Sequence, residues 1–154
     1  MRRAPASDRR ADQGSAVIEF VTLGVLLLVP LVYLVITLGR LQAASFAADA
    51  ATREAARAFT TASTEQSGRD RVLSAVRLAL ADQGFDQDPA RAVQVRCSAT
   101  PCLSPGARVT VQVSVDVPVP GIPGFVDRLA PTHFTVRSAQ LAAVDAFRPG
   151  AAPT

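Results

Sequence analysis

Apolar and polar positions divide this chain into two regimes. Phe20 to Gly39 reads FVTLGVLLLVPLVYLVITLG, twenty residues without a charge. At a rise of about 1.5 Å per residue, such a helix spans about 30 Å, the thickness of a hydrocarbon core. The remaining chain is too short to bury a helix of that kind on all sides, so the run reads as a membrane span. Pro30 would cost a soluble helix about 3 kcal/mol, but a span accommodates it as a kink. Beyond the span, Arg40 to Thr60 is rich in Ala, Leu, Arg and Glu, all strong helix formers. A helix from Ser15 to Phe59 would be about 68 Å long and would project well beyond a bilayer. Leu41, Ala44, Ala48, Ala51, Ala55 and Ala58 recur at spacings of three and four, which puts them on one face. That stripe has two readings. It permits close helix–helix contact, or Ala is there merely as a good helix former; Ala56 and Ala58 could equally pack under the chain's own C-terminal sheet. Asp49 with Arg53, and Glu54 with Arg57, are spaced for pairing across one turn.

The periodicity then changes. Thr60 to Gly68 reads as a loop and Arg69 to Gln83 as a second amphipathic helix. Val72, Leu73, Val76, Ala79 and Leu80 form its apolar face, Ser67 is the candidate N-cap and Gly84 the stop. Strands follow at Ala92 to Cys97, Arg108 to Val117 and Phe134 to Val144. The middle one alternates strictly, with Val109, Val111, Val113, Val115 and Val117 on one face and Thr110, Gln112, Ser114 and Asp116 on the other. CSATPCLSPG is a hairpin connection, Pro118 to Pro131 a Pro-rich excursion, and Arg148 to Thr154 a loose tail. The predicted fold class is α+β. A long N-terminal transmembrane helix continues into a small extracytoplasmic domain with a second helix and a short antiparallel sheet. The domain organisation is a basic cytoplasmic leader (1–14), the span with its extension (15–59), the α+β domain (60–147) and the tail (148–154).

Charge orients this arrangement. The 154 residues carry a net charge of +3, and every basic side chain is Arg. Arg2, Arg3, Arg9 and Arg10 precede the span together with Asp8 and Asp12. Without those four cations and two anions the net charge falls to +1. The basicity is therefore a terminal topogenic patch rather than a nucleic-acid surface, and it places the N-terminus in the cytoplasm. A cleaved secretory signal fits poorly. The apolar core is longer than 7–15 residues, and Leu41-Gln42-Ala43 lacks a small residue at −3. With 49% hydrophobic residues the chain is not of the disordered class.

The candidate chemistry is sparse. One His and two Cys cannot build a four-ligand zinc site, so neither metal nor cofactor is expected. Cys97 and Cys102 have three readings: a disulfide closing a small loop, a redox pair, or metal ligands. The oxidising side of a membrane favours the first, and the spacing is wrong for C-x-x-C. His133 has no nucleophile as partner. Gly121 and Gly124 sit in a Pro-rich turn without the strand–helix unit of a phosphate loop. No catalytic residue is expected, and the chain does not read as an enzyme.

Glu19 stands immediately before the apolar run, in GSAVIEF from Gly14 to Phe20. Its bland reading is an interfacial carboxylate, tolerated at the margin of a bilayer and costly deeper in. The sharper reading includes Gly14. A cut between Gly14 and Ser15 would leave a charged α-amine one helical turn before Glu19, to pair within the chain or with a neighbour. The basic leader, Gly14, SAVIEF and the long apolar helix resemble a type IV prepilin-class signal. The extension GRLQAASFAADAATREAARAF resembles the TadE-like family of minor pilins or pseudopilins of tight-adherence (Flp) pili. The resemblance is good over residues 13–59. It is looser over the last third, where the Val-rich strands and AAVDAFRPG are similar to short forms of the family.

The resemblance implies partners and roles. A prepilin peptidase would cut between Gly14 and Ser15. Glu19, followed by Phe20 where related major pilins usually have Tyr, would align the subunit with other pilin or pseudopilin subunits at a pilus assembly platform. The span would sit in the lipid bilayer of the cell membrane, single-pass, with the C-terminal domain extracytoplasmic. The alternative is an uncleaved single-span anchor whose domain binds an extracellular partner. A membrane-anchored enzyme has the least support.

Overall fold

The computed structural model describes residues 9–118 and 133–147. The chain forms two compact units, Met1–Leu38 and Gly39–Thr154. Helix α1 (Arg9–Thr60) is followed by α2 (Glu65–Asp82), α3 (Pro89–Ala92), β1 (Val93–Cys97), β2 (Arg108–Pro118) and β3 (His133–Ala143). This is the expected α+β arrangement, with a long apolar helix first, a second helix and a three-stranded antiparallel sheet. The Pro-rich excursion after Pro118, the tail Arg148–Thr154 and the first eight residues of the leader lie outside the described residues.

In the first unit every side chain from Ala16 to Ile36 is exposed. Such exposure would be untenable in water for Leu, Ile, Val and Phe over so many turns, and it is what a lipid-facing helix requires. Helical geometry passes through Pro30 without a break. Near the end of the apolar run the Thr37 hydroxyl donates to the Tyr33 carbonyl at 2.9 Å. The polar atom thus finds its partner inside the helix, as a hydrocarbon environment demands.

In the second unit the sheet order is β1-β2-β3, with β2 in the centre. The register pairs Val93 with Val113 and Cys97 with Val109 on one side, and Val109 with Ala142 and Val117 with Phe134 on the other. The alternation of β2 translates directly into packing. Val109, Val111, Val113, Val115 and Val117 are buried, while Asp116 is exposed and Gln112 half-buried. Against the valine face lie Ala44, Ala47, Ala48, Ala51, Ala55 and Phe59 of α1, all fully buried in one cluster with Val72, Val76 and Leu80 of α2. β-branched side chains on the sheet supply the volume, and methyl groups on the helix let its backbone come close. The stripe of small residues is therefore core of the chain's own domain.

Helix boundaries differ from expectation at both N-terminal ends. α1 begins at Arg9 rather than Ser15, because the leader residues Arg9 to Gln13 are themselves helix-compatible. α2 begins at Glu65 rather than Arg69. Thr64, not Ser67, is the N-cap: its side chain accepts the Ser67 N–H at 3.2 Å. Two hydroxyl residues three apart compete for one capping role, and the earlier one takes it. A Cβ at Gly68 would stand 3.0 Å from the Phe59 ring and 3.3 Å from Ala62 Cβ, so a larger residue would press on both side chains and make them give by a few tenths of an ångström. Gly84 ends the helix as expected, with φ of 75°. The short helix α3, capped by Asp88 and started by Pro89, had not been expected.

Candidate functional site

Glu19 and Phe20 lie on α1 at the start of the fully exposed apolar stretch. Phe20 is 78% exposed, and Glu19 has no hydrogen bond or ion pair among the described residues. A carboxylate at the margin of a bilayer is tolerated in the polar zone and is costly deeper in unless it is paired. Gly14 and Ser15 are part of the same helix by backbone, so positions 15 and 19 share a face one turn apart. That spacing is the one required for a Ser15 α-amine, once freed, to meet a Glu19 carboxylate.

Past the apolar stretch the helix turns its function inward. Asp49 does not pair with Arg53, nor Glu54 with Arg57: the ion pair found among the described residues is Arg91 with Asp88, at 3.7 Å. Asp49 Oδ1 instead accepts the Ser138 hydroxyl at 2.6 Å, and the buried Thr52 hydroxyl donates to the Ala48 carbonyl at 3.0 Å while lying 3.3 Å from Ser138 Oγ. This polar latch joins α1 to β3. Sequence spacing could not reveal it, since the partner is 89 positions away. On the other side of α1, a groove of about 770 Å³ runs along α2, lined by Glu54, Arg57, Ala58, Asp70, Leu78 and Asp82 among others.

Cys97 and Cys102 are bonded, with sulfurs 2.10 Å apart. The loop they close is held to α2 by Glu65, whose Oε1 accepts the Cys102 N–H at 2.6 Å. His133 is the exposed first residue of β3, opposite Pro118 in the register. No cluster of three or more His, Cys, Asp or Glu side chains that could hold a metal ion occurs among the described residues.

These features define a class. One helix among the described residues is long and apolar enough to cross a membrane, and with the disulfide-closed α+β unit it fits a single-pass membrane protein. Within that class, residues 14–57 match the family model of TadE-like proteins, the family that the leader, SAVIEF and the Ala-rich extension resemble, which is associated with Tad pili. The match covers Glu19, the apolar run and the alanine-rich half of α1 up to Arg57. Comparison with curated proteins and with solved structures gives no match.

Proposed function

We propose that this chain is a TadE-like minor pilin or pseudopilin that takes part in assembling a Flp/type IV-like pilus from the cell membrane. Its N-terminus is cytoplasmic and its α+β domain extracytoplasmic. The observation that carries this reading is the coincidence of a TadE-like segment with a bare apolar helix that starts at a carboxylate without a partner among the described residues. A prepilin peptidase removes the basic leader between Gly14 and Ser15. The new α-amine and Glu19 then form a charge pair between neighbouring subunits. In low dielectric an unpaired charge is expensive, so the pair enforces register during extraction from the bilayer. The role is structural and has no catalytic step.

The test is intact mass and N-terminal peptide mapping of the protein extracted from its host membrane, together with Glu19→Ala. A mature chain beginning at Ser15, and loss of assembled pili in the Glu19→Ala strain with normal membrane insertion, are expected. A chain that keeps Met1 or Arg2 with pili unaffected by Glu19→Ala would make it an uncleaved anchor whose domain binds a partner.

A further inference from the structure

A cavity of about 240 Å³ lies at one end of the sheet, lined by Arg40, Phe85, Asp86, Gln87, Asp116 and Pro118, with Gly84 and Val117. It is several times the ~30 Å³ that a water occupies, so it has room for a polar group of several heavy atoms. Its construction is specific. β1 ends at Cys97, opposite Val109, and pairs only as far as Val113, so among the described residues no strand lies beside the edge of β2 beyond Val113. The Gln87 side chain takes the strand's place: its Nε2 donates to the Ser114 carbonyl at 3.3 Å, and its Oε1 accepts the Asp116 N–H at 3.0 Å. The positive φ of Gly84 turns the chain after α2 so that Phe85 is buried and Asp86 is exposed at the cavity. Asp116 Oδ1 accepts the Thr135 hydroxyl at 2.8 Å, which fixes this carboxylate and leaves its second oxygen for another donor.

The cavity thus carries one guanidinium and two carboxylates. Arg40 and Asp86 have no ion pair or hydrogen bond among the described residues, although they line the same space. Opposite charges that flank a cavity without meeting suit a ligand that is itself a zwitterion, with an anionic and a cationic end. Position selects the source. Arg40 follows the last residue of the apolar run, Gly39, so by chain connectivity alone its guanidinium is within reach of a bilayer surface. We propose that this cavity binds the headgroup of a phosphoethanolamine lipid in the adjoining leaflet. The phosphate is held by Arg40, and the primary ammonium donates to Asp86 and Asp116.

A choline headgroup has the same charges but no N–H to donate, so the carboxylates would discriminate against it. The full-length protein is reconstituted in vesicles of equal phosphatidylethanolamine and phosphatidylcholine, extracted in mild detergent, and its retained lipids are counted by native mass spectrometry. Preferential retention of the ethanolamine lipid is expected. Arg40→Gln and Asp86→Asn should each lower that retention by about tenfold, the effect of one charge-assisted hydrogen bond, while exposed Arg53→Gln leaves it unchanged. An unchanged thermal transition shows that the variants fold. Equal retention of the two lipids, or variants that retain lipid as the wild type does, would overturn the proposal. Soluble phosphoethanolamine binding as tightly as the lipid would assign the site to a free solute and overturn it too.

Discussion

Adjacent alanines on α1 have opposite fates. Ala51 is fully buried against the valine face of β2, and Ala50 is exposed. Ala51→Leu must insert three carbons into a space already filled by methyl and isopropyl groups. Overpacking of that kind costs about 1–3 kcal/mol, which lowers the melting temperature by at least about 5 °C in a domain of this size. Ala50→Leu should stay within about 0.5 kcal/mol of the wild type. Thermal melts monitored by circular dichroism compare the two, and equal melting temperatures would refute the packing described here. The sequence marks Ala51 and not Ala50 as part of the periodic stripe. It does not say what lies opposite, because an alanine face suits a neighbouring helix as well as a sheet.

Among elements, β2 was the most legible. Its strict alternation is imposed by the pleat, and one buried face leaves no freedom of register. The start of α2 was the least legible, because Thr64 and Ser67 are both good caps and local sequence does not rank them. The ion pairs expected along α1 failed for a related reason. Exposed pairs at helical spacing are worth only a few tenths of a kcal/mol, so a short hydrogen bond from Ser138 outcompetes Arg53 for Asp49. The connection from β1 to β2 carries a prediction of its own. A five-residue closure by Cys97–Cys102 restricts the unfolded chain by about 2 kcal/mol. Replacing both cysteines by serine should lower the urea midpoint accordingly. No change in midpoint would mean that the Glu65 clamp on Cys102 alone holds the loop.

At the scale of the whole molecule, the described core lies entirely within residues 39–154. The chain from Gly39 onward should therefore be soluble without detergent and unfold in one cooperative transition by calorimetry. Aggregation of that fragment, or a broad non-cooperative melt, would show that the apolar helix is needed for the fold. Membrane association should follow the apolar run instead: introducing two arginines at Leu27 and Val32 should abolish insertion, since each costs about 3 kcal/mol at the centre of a span.

The division of labour between sequence and structure follows from the range of the forces involved. An uncharged run of twenty residues, a basic leader and a valine alternation are local patterns, and transfer free energy and backbone geometry act on them locally. The long apolar helix and the existence of the sheet were therefore readable from the chain alone. Contacts between distant segments were not. That the alanine stripe packs on the chain's own valines, that Ser138 takes Asp49, and that Gln87 stands in for a missing strand beside Asp116 all depend on which surfaces meet. Burial is non-directional and many partners would satisfy it, so only the folded arrangement selects one.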